Sequence, residues 1–229
     1  MIRDIEAFVL LVFTLFISSC GRNYNDEYAS CNQRMGACFE GEGAYCLFGY
    51  AWGLDKSFSP YGYDVNGPEI SNKVITYSFM PQNSVLNTHR QTDLNSFSFE
   101  KLPDYSNEMI RKGFSAWAGI GNLSLKEVEN GEESNIKIYV ADIHVSAIGY
   151  PNITDQNCTE IAGSLIIDKD FNDSEEIFYA LVLHEIGHVL GLGHVDSDNI
   201  MNPNKWKDFS EIQKGDSMGI RALYFSDRD

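Results

Sequence analysis

The segment from Leu181 to Pro203, LVLHEIGHVLGLGHVDSDNIMNP, constrains this chain more than any other stretch. His184 and His188 are four residues apart, so on an α-helix they stand one turn apart on one face, where both imidazoles can reach a common point. The apolar residues Ile177, Leu181, Val182, Ile186 and Val189 recur around them and predict a helix from about Glu175 to Leu192, capped by Asp173 or Ser174. On a continuing helix His194 would face away from that pair. Gly191 and Gly193 supply the break: glycine accepts positive φ without a Cβ penalty, so the chain can turn out of the helix and bring His194 back.

The resulting pattern, HExxHxxGxxH, is that of a three-histidine zinc site with one position open to water. Glu185, next to the first ligand, can lay its carboxylate over that water, which is the geometry of a general base. Three of the chain's five histidines fall at ligand spacing around one glutamate. The competing explanation, unrelated core or surface histidines satisfied by backbone carbonyls, does not account for that grouping.

HEIGHVLGLGH followed seven residues later by Met201 resembles the metzincin metalloproteases, with Met201 at the place of their Met-turn. Within that clan the chain is similar to the matrixins. Ile200 to Pro203 resembles their Met-turn, and Asp216, Gly219, Ile220, Leu223 and Tyr224 match the spacing of their C-terminal helix. Phe114 with Trp117 resembles their first long helix, so the likeness spans roughly Lys73 to Phe225. The resemblance implies an α+β, zincin-like fold: a twisted, mostly parallel five-stranded sheet, two long helices and a C-terminal helix. It also implies one catalytic zinc ion held by His184, His188 and His194, a catalytic Glu185, and Met201 as an apolar floor beneath the ligands. Matrixins often hold a second, structural zinc, but Ile167 stands where they commonly have a histidine, so one zinc is expected. Asp168, Asp170 and Asp173 offer hard oxygens suited to calcium; a solvated acidic loop with a helix cap is the alternative.

The strands and remaining helices follow from local pattern. Lys73 to Phe79 alternates in period two and predicts a first strand. Met109, Ile110, Phe114, Trp117 and Ala118 predict a helix within Asp104 to Ile120, packed on a sheet. Leu123 to Val128 and Ile136 to Val140 read as strands separated by Asn130-Gly131, and Ile161 to Ile167 as another. His144 to Tyr150 is a short apolar piece, expected from the matrixin pattern at the sheet edge beside the cleft, where an extended substrate can add as one more strand. Ser210 with Gln213 resembles a capping box opening a last helix from Glu211 to Tyr224, and Asp216 is a candidate to hydrogen-bond beneath the Met-turn. Trp206 and Phe209 are candidates for the pocket wall or for core cover.

The N-terminal part differs. Residues 1–20 read as a signal: Ala7 to Ile17 is uncharged and too short to span a bilayer as a helix. The following Ile17-Ser18-Ser19-Cys20 is similar to a bacterial lipoprotein signal, which would leave a lipid anchor at Cys20; plain secretory cleavage nearby is the alternative. Either places the protein outside the cytoplasm. Residues 21–69 form an aromatic-rich, Cys-rich extension, read as loop-rich and disulfide-held. It is either an inhibitory pro-segment or a wrapped extension, and the PRCGxPD pattern of matrixin pro-segments is absent. Residues 70–229 are the stretch that the resemblance implies as a matrixin-like metalloprotease domain. Beyond Cys20, four cysteines (Cys31, Cys38, Cys46 and Cys158) allow two disulfides in three connectivities.

With 17 basic and 33 acidic residues, the net charge of −16 argues against nucleic acid and anionic membrane surfaces as partners. A membrane association would run only through the lipid anchor. The expected protein is a monomeric zinc endopeptidase acting on protein or peptide substrates; the rival is a zinc-containing surface lipoprotein that acts as a binding module. Retention of Glu185 favours the enzyme, because a zinc site that only binds does not need that carboxylate.

Overall fold

Alternating side chains divide the central strand, β7 (Ile136–Ala141), between two environments. Ile136, Ile138 and Val140 enter the main core with the helices, whereas Tyr139 and Ala141 enter a smaller cluster with Met80, Leu86, Ile143 and Ile166. The computed structural model describes residues 38–47, 52, 74–86, 94–121, 123–129, 134–153 and 161–224. The signal region, Cys20, Cys31, Cys158 and the Asn130-Gly131 turn lie outside the described residues.

Around β7 the sheet contains β3 (Val74–Phe79), β6 (Ser124–Glu127), β8 (Ala147–Ile153) and β9 (Ile161–Asp168), in the order β6-β3-β7-β9-β8. The first four in that order are parallel and β8 is the antiparallel edge. Together with three α-helices among the described residues, this is the α+β architecture expected. β6 and β7 do not pair with each other. Both pair with β3, β6 along Val74 to Tyr77 and β7 along Tyr77 to Phe79, so the chain crosses β3 between them. The edge strand continues through Pro151, further than its apolar residues indicate; proline is tolerated at an edge, where one ladder side is free. A small hairpin of β4 (Val85–Leu86) and β5 (Leu94–Asn95) covers the second face through Leu86 and Leu94.

Helix α1 (Ser106–Gly121) buries Met109, Ile110, Phe114 and Trp117, four of the positions its periodicity singled out, while Ala118 is half-buried. Trp117 is wholly buried and donates its indole N–H to the Leu183 carbonyl of α2 (Glu175–Val189) at 3.0 Å. Gly113 permits the two helices to approach: a Cβ there would stand 2.7 Å from Val182 Cγ1. Truncating Phe114 or Trp117 to alanine would cost about 3–5 kcal/mol.

From Phe178 to Val189 every residue of α2 is buried. A helix apolar on all sides belongs inside a fold, and this one runs through the middle of it. Ser174 is its N-cap, its side chain accepting the Ile177 N–H at 3.4 Å, while Glu175 and Glu176 occupy the first turn. The helix ends at Val189, three residues before the sequence expectation, because Gly191 takes φ of +107° and reverses the chain. Leu192 and Gly193 then form the short strand β10 instead of a final helical turn.

The described part of the N-terminal extension is a hairpin, β1 (Cys38–Phe39) and β2 (Tyr45–Leu47), closed by a Cys38–Cys46 disulfide. β2 pairs on its other side with β10.

The last helix, α3 (Lys214–Tyr224), begins three residues later than the capping-box pattern implies. Gln213 directs its side chain to the Glu211 carbonyl, and it is Asp216 that accepts the Gln213 backbone N–H at 2.9 Å. A carboxylate three positions into the helix therefore makes the backward half of a capping interaction.

Candidate metal centre

Burying imidazoles and a carboxylate in an otherwise apolar helix is costly unless each polar atom has a partner. Residues His184, Glu185 and His188 are 4, 8 and 6 % exposed, respectively. The Nδ1 atoms of His184 and His188 lie 2.7 Å from the Ile200 carbonyl and 2.8 Å from the Leu192 carbonyl. A carbonyl only accepts, so both Nδ1 atoms carry the proton and both Nε2 atoms present bare lone pairs.

Those lone pairs converge. His184 Nε2 and His188 Nε2 are 3.1 Å apart, and His194 Nε2 lies 3.1 Å from the first and 3.0 Å from the second. With the Nδ1 protons fixed by Ile200 and Leu192, the close pair on α2 cannot hydrogen-bond to itself. The contact is repulsive unless a cation is shared. Zinc–nitrogen bonds of about 2.0–2.1 Å at tetrahedral angles put ligand nitrogens about 3.3 Å apart, so the cluster has the chemistry and size for a zinc ion. Among the described residues this is the single group of three histidine, cysteine or acidic side chains able to share a metal. His194 is exposed, so the cluster opens to solvent on that side.

Burial holds the histidines in their neutral, metal-binding form: the His184 imidazolium is pushed down to about 4, and His188 and His194 are likewise lowered, chiefly by loss of water. The Glu185 carboxyl is pushed up to about 8 by burial, against the lowering effect of the Gly149 N–H that its carboxylate accepts. A divalent cation beside it would favour the ionised form.

Below the histidines, Met201 is buried, with its sulfur packed so closely on Gly187 that a Cβ there would overlap it. The turn carrying Met201 is pinned by Asp216, which accepts the N–H groups of Ile200 and Met201 at 3.0 and 3.2 Å.

A family profile described as Matrixin matches residues 69–225. This chain belongs to the matrixin family. Its relatives include Metalloendoproteinase 1-MMP of Arabidopsis thaliana, 24 % identical over 182 residues, covering 72 % of this chain and 46 % of the relative. Matrix metalloproteinase-19 of Homo sapiens is 25 % identical over 142 residues, covering 53 % of this chain and 26 % of the relative. The chain thus spans about half the length of the first and about a quarter of the second.

The expected residues His184, His188, His194, Glu185 and Met201 all meet at one place in this matrixin. Trp206, in a single 3-10 turn, sets its ring 6.2 Å from that of His184, and it and Phe209 also pack on the core. Calcium is unsupported at the acidic loop. Asp168 accepts the Ile143 and Asp170 N–H groups, Asp170 pairs with Lys169, and Asp173 accepts the Ser174 N–H, so the carboxylates serve the loop and the helix cap. Two contributors went unnoticed in the sequence. Gly149 on β8 faces Glu185, and a glycine inside a strand pattern is a known sign of close backbone approach. Trp52 donates its indole N–H to the Val189 carbonyl at 2.8 Å, and nothing in its sequence neighbourhood signals that contact.

Proposed function

We propose that this protein is a zinc endopeptidase in which His184, His188 and His194 hold the metal and Glu185 is the general base. The observation that carries it is the convergence of three imidazole Nε2 atoms within 3.1 Å of one another beside a buried carboxylate. When bound, zinc would supply Lewis acidity toward the scissile carbonyl and a more acidic water. Glu185 takes a proton from the attacking water on its carboxylate and returns it to the leaving amine. The Gly149 N–H holds that carboxylate in place between the two transfers. Ile200 and Leu192 keep the histidines in the tautomer that ligates. The side of β8 that is unpaired among the described residues gives an extended substrate backbone groups to pair with, so affinity is largely main-chain and tolerant of sequence. Glu185 sits directly behind that strand, which puts the proton shuttle within reach of a peptide bond bound along it.

The Cys38–Cys46 disulfide supports an oxidising, extracytoplasmic location. The test is hydrolysis of a mixed, quenched peptide library by the protein lacking residues 1–20, with and without a zinc chelator, beside Glu185→Ala. Chelator-sensitive cleavage absent in the mutant is expected. Folded, zinc-loaded protein that cleaves nothing but retains a protein partner would instead favour the binding module.

A further inference from the structure

Two of the three histidines ride on the buried part of α2, but His194 is exposed and follows a strand of only two residues. So short a strand is not self-supporting. In the sheet β1-β2-β10, its partner is β2, with Leu192 opposite Leu47 and Gly193 opposite Cys46. β2 is in turn fixed to β1 by the disulfide across the Cys38–Cys46 pair.

The same hairpin grips the site's surroundings at other points. Its Ala44 carbonyl accepts from Asn199 Nδ2 at 2.6 Å, immediately before the Met-turn. Tyr45 lies against Gly219 of α3, where a Cβ would stand 3.2 Å from it, and Gly43 seats on Met218. Glu42 pairs with Lys214. Trp52, a few residues on and 3 % exposed, ties to the last carbonyl of α2 before the reversal at Gly191. The hairpin residues and Trp52 all precede position 69, where the matrixin match begins.

We propose that the Cys38–Cys46 hairpin is a clamp that positions His194 for the metal, and so a working part of the metal centre rather than an inhibitory pro-segment. The assignment deepens the zinc-peptidase reading and rests on it. Mechanically, β2 holds β10 in register, β10 sets the Leu192 carbonyl on His188 and the path into His194, and the hairpin turn braces the Met-turn from the opposite side. Opening the hairpin frees the third ligand while leaving the first two on their helix.

The experiment uses the full chain. Zinc affinity is read by competition with a chromophoric chelator, and ligand geometry by the visible absorption of the cobalt(II)-substituted protein. Wild type is compared with Cys38→Ser/Cys46→Ser, and with Gly43→Val, which keeps the disulfide but strains a turn residue at φ of +80°. Losing a residue that orients a ligand typically weakens metal binding about 10–100-fold, and a loss in that range with an altered cobalt spectrum is expected in both variants. In a His194→Ala background the same changes should have a much smaller effect on affinity, confined to the loosened Leu192 carbonyl on His188 and the Met-turn. Unchanged zinc affinity in the two variants, or an equal loss with and without His194, overturns the clamp; if the cysteine variant does not fold, Gly43→Val decides alone. A wild type that binds zinc but cleaves nothing would remove the peptidase reading and leave these affinities to judge the clamp. A wild type that binds no zinc removes both.

Discussion

The backbone N–H of Gly149 donates to the Glu185 carboxylate, joining the edge strand to the central helix at the one buried acid beside the histidines. The approach is so close that a Cβ on Gly149 would overlap the Glu185 carbonyl group and Cα. These are backbone atoms of a buried helix, which cannot yield as a flexible side chain does. Gly149→Ala should therefore cost about 1–3 kcal/mol and push β8 away from α2. Urea denaturation measures the first effect, and peptide cleavage well below the transition the second. An unchanged midpoint would mean that the strand and helix are not packed as described.

Glu185 should also leave a mark on stability against pH in metal-free protein. Its folded value of about 8 lies above the ordinary 4.5, so between those values the folded state holds a proton that the unfolded chain has released. Stability is thus lost as pH rises from about 4.5 to about 8. His184 acts in the opposite sense: its folded value of about 4 is below the ordinary 6.5, so stability is lost as pH falls through that window. Glu185→Gln removes only the first contribution. Thermal melts in chelator should show the variant gaining on wild type between pH 4.5 and 8, by on the order of 1 kcal/mol per pK unit before relaxation. Parallel curves would show that Glu185 is not buried as a carboxylic acid.

Much of this could be anticipated because the pattern of side chains is local. The spacing of His184 and His188, the break at Gly191 and the apolar stripe of α1 are each set within a few turns of chain, and the structure places them as expected. For Asp216 the sequence offers only a candidate, and its burial with the Ile200 and Met201 N–H bonds puts it under the Met-turn. The misses share another cause. Leu192 continues an apolar run that reads as helix, and only the pairing of Leu192 and Gly193 with residues 46 and 47, distant in sequence, makes them a strand. The start of α3 was misread because Ser210 and Gln213 fit a capping box locally, while Asp216 takes the Gln213 N–H. The disulfide pairing was open among three connectivities until the hairpin fixed Cys38 opposite Cys46.

Removing the metal should destabilise the fold around the histidines, because the Nε2 lone pairs of His184 and His188 then face each other at 3.1 Å with no cation between them. Zinc at 100 times its dissociation constant should add about 2.7 kcal/mol of stability if the unfolded chain does not bind it. Melting temperature against free zinc checks this, and His194→Ala should flatten the dependence. A melt insensitive to zinc would contradict a three-histidine site.

Asp216 connects the last helix to the metal centre without touching it. Its carboxylate accepts three backbone N–H groups, from Ile200 at 3.0 Å, Met201 at 3.2 Å and Gln213 at 2.9 Å, and it is 1 % exposed. Burial raises its carboxyl, and those three donors oppose the rise. Ile200 in turn offers its carbonyl to His184 Nδ1 at 2.7 Å, so the turn that Asp216 pins also orients a histidine. Asp216→Ala orphans all three N–H groups, at about 1–3 kcal/mol for each that water cannot reach, and should be among the most damaging single changes in the domain. Asp216→Asn keeps one acceptor oxygen but turns an amide N–H₂ toward one of the donors, so it should fall between wild type and alanine. Denaturation midpoints give that order, and chelator competition should show zinc affinity falling in the same order, because His184 loses its orientation as the turn loosens. Zinc affinity unaffected by Asp216→Ala in folded protein would show that the Met-turn holds His184 without help from the last helix.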